Sequence, residues 1–367
     1  MKRRRPLRWL RRAAILLVVF SLLCAIPVTY VETSCQAESP GFKRTGTPAF
    51  TITEPGYQRA EGDSYLTYPE WYIVHAYTDL AGVTRQSSES GFDYLTSVTG
   101  FWTSLCRATV AANNAGPVTT DQKVTNYIIG VSFTLEMGVI GFYERSIGAL
   151  TAWLRGPQRT AEDEFALAVA DDYAAFLNQQ PWYEYPFFTQ LQRFWRQTPF
   201  GGANLARSVE RRFALSLEYG AKGIYAIVIG AAAGYAPADL KIMSVVSPLG
   251  ADDLAADPRI RKLRDIGADA ALIETPRYQA FTEILRGLGA RGRAVFEIAG
   301  NQRILTTVIA REGAQLDTPG ATELFSIPIQ SRPGWRRVGL DTEVARLAAQ
   351  IGEVERQGAV FEHAYDY

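Results

Sequence analysis

The chain has 367 residues, with 38 Lys and Arg against 38 Asp and Glu. That balance excludes a strongly basic nucleic-acid binder and an acidic solvating tail, and 47% hydrophobic with 21% charged residues is the composition of a folded chain. Two histidines and three cysteines leave almost no material for a zinc or haem site, so no metal and no cofactor are expected.

Residues 1–12 form a basic tail with Lys2, Arg3, Arg4, Arg5, Arg8, Arg11 and Arg12. Ala13 to Val31 follows without a charge. As a helix this run reaches about 28 Å, close to the hydrocarbon thickness of a bilayer. The basic flank predicts a cytoplasmic N-terminus, with most of the chain in the periplasm of a bacterial inner membrane. An uncleaved anchor fits best, because Thr29-Tyr30-Val31 is a poor cleavage site and Leu22-Leu23 before Cys24 does not suit lipidation. Cys35 and Cys106 would then lie where a disulfide persists, although two cysteines fix no pattern.

Residues 32–66 are rich in Pro, Gly, Thr and Ser and read as a linker. Residues 67–235 read as a helical domain. Thr67 and Glu70 form a capping-box pattern opening a helix to about Ala81. Further helices are expected at about 92–112, 124–154, 160–178 and 203–235, the one at 160–178 opened by Thr160 and Asp163. Residues 236–367 alternate strands and helices. They include a hairpin around Gly300-Asn301, a helix with Pro276 at its first position, and a terminal strand from Val360. The expected class is α+β: an N-terminal transmembrane helix, an all-helical domain and a ferredoxin-like sandwich with extra strands.

Two helices share a pattern, TLEMGVIGFYERSIG at 134–148 and SLEYGAKGIYAIVIG at 216–230. Phe101-Trp102 precedes the first and Phe194-Trp195 the second, which suggests an internal duplication with repeats 67–154 and 160–235. The glycine faces would let the two helices approach closely, and Lys222 follows Glu218 at the favourable i+4 spacing. Short apolar runs favour one membrane span. Arg145, Arg155, Arg159, Arg207, Arg211 and Arg212 would suit a cytoplasmic loop in a three-span alternative.

Candidate chemistry is sparse. Gly287 to Gly292 has the letters G-x-G-x-x-G, but it follows a helix and precedes a strand, the reverse of a dinucleotide turn. Gly62-Asp63-Ser64 resembles an esterase nucleophile block without its histidine. His75 shares a helix face with Asp79, which could orient it; the bland alternative is a packed histidine. His363 reads as an edge residue. Glu136 and Glu218 are the remaining candidates, as buried carboxylates sharing a proton or cation or as simple ion-pair partners.

Tyr68-Pro69-Glu70-Trp71-Tyr72, Pro181-Trp182-Tyr183-Glu184-Tyr185 and the Glu-x-Gly helices resemble a group of uncharacterised bacterial membrane-anchored proteins over most of residues 65–235. The resemblance implies no activity. The expectation is a non-enzymatic interaction or assembly module, partnered by the membrane or another membrane or periplasmic protein and not by nucleic acid. The alternative is a membrane-associated enzyme or ion-coupled protein using Glu136 and Glu218.

Overall fold

The computed structural model describes residues 4–36, 50–116, 118–201, 204–232 and 240–367. Helix α1 (Arg4–Ser34) begins inside the basic tail, so tail and anchor form one continuous helix. Its apolar side chains, among them Leu17, Leu22 and Ile26, are exposed. Its Leu17–Ser34 stretch is long and apolar enough to cross a membrane. Only its end is packed: Val31 and Cys35 are buried, and Cys35 is disulfide-bonded to Cys106.

The expected linker lies partly outside the described residues, and from Phe50 onward it is folded. Helix α2 (Gly62–Leu66) runs into α3 (Tyr68–Gln86) through Thr67, which has helical angles and makes no side-chain cap. The expected capping box is therefore corrected: the Thr67 hydroxyl donates to the Ser64 carbonyl at 3.0 Å, and Glu70 is left free of any cap. Helices α4 (Tyr94–Ala115) and α5 (Thr120–Tyr143) follow. A wide turn at Glu144–Gly148 joins α5 to α6 (Ala149–Arg155). Helix α7 (Ala161–Leu177) opens with the expected Thr160–Asp163 capping box. Then come α8 (Phe187–Gln197) and α9 (Leu205–Ala232). Helix α3 packs on α7, α4 on α5 and α8 on α9. The expected boundary at 235/236 lies outside the described residues.

The C-terminal part holds two sheets. The first comes from β1 (Lys241–Val246), α10 (Ala251–Ala256), β2 (Arg261–Ile266), β3 (Ala270–Pro276), α11 (Tyr278–Ala290) and β4 (Val295–Ile298). The second comes from β5 (Arg303–Arg311), β6 (Ala321–Pro328), β7 (Trp335–Glu343), α12 (Leu347–Arg356) and β8 (Val360–Tyr365). Their orders are β2-β3-β1-β4 and β6-β7-β5-β8, with every pairing antiparallel. The expected Gly300 hairpin is corrected. Strand β4 pairs with β1 and β5 with β7 and β8, and only an isolated Ile298–Asn301 bridge links the two runs. Pro276 ends β3 instead of opening a helix.

The two sheets follow one plan. Each runs strand, strand, strand, helix, strand, with the short α10 added after the first strand of the first sheet, and the four strands take the same places in the order. Register shifts recur at matching positions, Leu263 in β2 and Leu324 in β6, then Phe296 in β4 and Glu362 in β8. Gly292 and Gly358, at φ +70° and +76°, leave the two helices by the same turn. In each, the next residue's amide reaches back to the helix, Arg293 to the Leu288 carbonyl and Ala359 to that of Val354.

One core joins the sheets, with Ile242 and Ile273 on one side, Val308 and Phe361 on the other, and Leu285 of α11 and Ile351 of α12 within it. The outer face of the first sheet (Val245, Leu272) is covered by Phe50, Ile52 and Tyr57. That of the second (Leu305, Phe325, Tyr365) packs on Tyr68, Trp71 and Tyr72 of α3. Sheet two thus lies buried between helices α11 and α12 on one side and the helical layer on the other.

Candidate functional site

Glu136 on α5 and Glu218 on α9 meet at one cation. The ammonium of Lys222 lies 2.9 Å from a carboxylate oxygen of each. The Tyr77 hydroxyl donates to Glu136 at 2.5 Å. The same ammonium stands over the rings of Tyr77, Tyr173 and Phe187 at 4.9, 5.4 and 5.9 Å. Aromatic faces and two carboxylates together make a favourable seat for a positive charge away from bulk water. Sequence paired Lys222 with Glu218 alone; its bridging of both glutamates required the fold.

This cluster forms part of the wall of a cavity of about 1140 Å³. The cavity lies among α3, α5, α9 and the aromatic turn at Pro181–Phe188, and its wall is mostly apolar. Several rim residues are also exposed on the protein surface: Ile128, Phe188, Tyr225 and Ile227. The polar exceptions include Glu70, Glu136, Glu184 and Lys222. Glu70 is the residue sequence reading missed, because the expected cap occupied it. Its side chain is solvent-accessible and lines the cavity. Crowding by the surrounding protein pushes its carboxyl above the ordinary range, and the Arg277 guanidinium pulls the other way without cancelling it.

The glycine faces of the two Glu helices do not meet. Gly141 lies under the Tyr94 ring and Gly223 under that of Phe188, each so close that a methyl group there would clash. Gly138 and Gly220 face open space. The expectation of close α5–α9 contact through glycine is corrected: bulky rings from α4 and α8 occupy that side.

His75 sits elsewhere, at the junction of α3 with the second sheet. Its Nε2 is 3.4 Å from the Tyr365 hydroxyl and 3.8 Å from Glu362. Glu362 accepts two hydrogen bonds from Arg337, at 2.5 and 2.8 Å. Asp79 does not serve as the orienting partner of His75; it accepts from the Ser331 hydroxyl at 2.5 Å and the Gln330 amide at 3.2 Å. A cavity of about 20 Å³ between them has room for one water. His363 is corrected from an edge residue to a buried one, 1% exposed, with its ring 3.9 Å from that of Trp71. Burial pushes both imidazoles down to about 3. Burial alone would raise Glu362, but the Arg337 guanidinium, with smaller help from His75 and Thr307, outweighs it and the carboxyl is held at about 2. Neutral histidines clamped around a fixed ion pair suit a structural seam between layers better than proton transfer near neutral pH.

The remaining motifs are structural. The Ser64 hydroxyl donates to the Tyr365 carbonyl at 2.6 Å and accepts from the Leu305 amide at 2.9 Å, fully buried. Gly287 and Gly289 lie in the last turns of α11. Arg155, Arg207, Arg211 and Arg212 are buried in ion pairs with Asp163, Glu210, Glu144 and Glu162. Arg145 pairs with Asp93, and Arg159 donates to the Thr84 carbonyl. These arginines are committed within the fold and do not form a free basic loop. Among the described residues no group of His, Cys, Asp and Glu could hold a metal ion. Comparison with family models, curated proteins and solved structures finds no match.

Proposed function

We propose that this is a membrane-anchored, non-enzymatic binding protein, and that its helical domain receives an amphiphilic, lipid-like ligand in the large cavity. The observation that carries this reading is the cavity itself: about 1140 Å³, mostly apolar, with a rim that continues onto exposed apolar surface. That surface is a stripe along α5 and α6 (Val139, Phe142, Trp153) and along α9 (Phe213, Leu217, Ile224). Exposed apolar stripes of this length mark contact with lipid or protein. Here lipid is favoured, because α1 tethers the chain beside a bilayer. The N-terminus is placed in the cytoplasm and the folded part in the periplasm, following the basic flank of the anchor.

One span is favoured over three. The apolar Thr120–Arg155 stretch would suffice by composition. However, α5 packs along α4, and α4 packs on β6 of the C-terminal part. A crossing α5 would carry that charged sheet to bilayer depth. An interfacial position for its outer face avoids the conflict.

Two finer points belong to the same reading. The first is duplication of the helical domain. In its support, the Trp102 indole donates to the Thr134 hydroxyl at 2.8 Å and the Trp195 indole to that of Ser216 at 3.0 Å. The two pairs occupy matching places in the two sequence patterns. The second is that each C-terminal sheet is a ferredoxin-like unit. The shared strand order supports it, with the first helix of the second unit replaced by a loop. The resemblance to membrane-anchored bacterial proteins fits this proposal and adds no activity.

The test uses the full chain in detergent or nanodiscs. A fluorescent apolar probe should bind saturably and be displaced by a medium-chain alcohol. Val74→Trp, which fills the cavity, should abolish the binding. Probe binding that is unsaturable, or indifferent to Val74→Trp, overturns the reading.

A further inference from the structure

We propose that the ligand of this cavity carries an ammonium head group on its apolar body, and that Glu70 is the counter-ion which receives it. This rests on the cavity being a binding site, as proposed above.

The first observation is charge. Of the charged groups in the described lining, Glu70, Glu136 and Glu184 are acidic and only Lys222 is basic. Lys222 is already held between Glu136 and Glu218, so it offers an anionic head little. The second is that Glu70 has no hydrogen bond or ion pair among the described residues. The cation whose field reaches it, Arg277, is paired with Asp366 at 2.7 Å. Glu70 is solvent-accessible and bonded to no cation among the described residues, so its charge is open to a cationic ligand in the cavity.

The third observation is the surroundings of Glu70. Trp71, Trp182, Tyr183 and Tyr278 line the same cavity, and the last two are near enough to Glu70 to feel its charge. Aromatic faces around a carboxylate are the chemistry that recognises an ammonium ion. The protein uses that chemistry once already: the Lys222 ammonium sits over three rings beside two carboxylates. The cavity thus has an inner cation seat filled by its own lysine and an outer one, at Glu70, left for a ligand. An anionic head would meet Glu70 and Glu184 with no free cation in the described lining to compensate.

Octylammonium, octanol and octanoate share a chain and differ in the head. On the full chain in nanodiscs, octylammonium should displace the apolar probe at a concentration at least about tenfold below that of octanol, about 1.4 kcal/mol. Octanoate should be weakest. In Glu70→Gln the ammonium preference should vanish while octanol binding stays, and Glu70→Asp should keep part of it. Equal potency of octylammonium and octanol in the unaltered protein overturns the inference and leaves the cavity reading standing. Failure of all three to displace the probe overturns the cavity reading instead. Should Glu70→Gln not fold, the three-head series on the unaltered protein still decides. Mass spectrometry of protein taken from mixed bilayers then identifies the source. Enrichment of ethanolamine-headed over glycerol-headed lipid points to the bilayer, and no enrichment beside tight octylammonium binding points to a free amine.

Discussion

Glu136 and Glu218 converge on a single ammonium group, each 2.9 Å from Lys222. Sequence suggests that losing Glu218 should hurt more than losing Glu136, because only Glu218 shares a helix turn with the lysine. The geometry removes that asymmetry. Glu136→Gln and Glu218→Gln should each cost about 1 kcal/mol, since one carboxylate remains and both are about one-third exposed. The double variant should lose far more than the sum, about 3 kcal/mol or more, because it strands a largely buried lysine; Lys222→Met should restore part of it. Denaturant melts of the four variants give the coupling, and simple additivity would mean that the cluster is solvated.

The seam between α3 and the second sheet should be labile to acid. His75 and His363 titrate at about 3 in the fold against 6.5 in the open chain. Between those values the unfolded chain binds more protons, so stability falls as pH drops from about 6.5 toward 3. Glu362, held at about 2 against 4.5, has the same sign: its contribution is complete above 4.5 and is lost as pH falls toward 2. Melting temperature against pH should therefore decline from pH 6.5, and His75→Gln with His363→Gln should flatten the limb between 6.5 and 4.5. A melting temperature flat from pH 7 to 4 would contradict this.

The Cys35–Cys106 bond closes a sequence separation of 71 and pins the end of α1 to α4. Cys35→Ser should cost about 4 kcal/mol by loop-closure entropy. Reductant should lower the melting temperature of the unaltered protein by a similar margin and leave Cys35→Ser unchanged. A melt indifferent to reductant would show that the bridge adds nothing.

Gly141 and Gly223 offer a paired test of the helical repeat. An added methyl would stand 2.7 Å from Tyr94 and 2.8 Å from Phe188. Tyr94 is buried at 4% exposure and cannot retreat, whereas Phe188 is 46% exposed and can. Gly141→Ala should cost about 1–3 kcal/mol and Gly223→Ala less than 1. The reverse order in thermal melts would show that the Phe188 ring is the more tightly held.

Much of the helical layer is legible from apolar spacing and caps, as at Thr160–Asp163. The strands are less so. Strand β2, Arg261-Lys262-Leu263-Arg264-Asp265-Ile266, is an edge strand with four charges and no clean alternation, so it carries no hydrophobic signal. The Gly300 hairpin failed because β4 and β5 pair more extensively with strands distant in sequence, which a local turn signal cannot reveal. The likeness of the two sheets is also hidden. Identities such as Ile242 with Ile304, Thr275 with Thr342 and Gly292 with Gly358 are too sparse to read until registers align them. In the site, Glu136 and Glu218 stand out by their repeated pattern. Glu70 does not, because a local capping pattern explained it, and the Arg337–Glu362 pair joins residues on separate strands.

The segment from Phe50 to Tyr57 has a consequence for how the protein can be divided. It is encoded before the helical layer yet lies across the far sheet, where the Tyr57 hydroxyl reaches the buried Glu297 at 2.5 Å. The chain therefore has no clean seam near residue 236. A fragment of the C-terminal half alone would bare two apolar faces at once, one stripped of this strap and the other of α3. Such a fragment should aggregate, and a soluble piece has to begin before Phe50 and retain the helical layer.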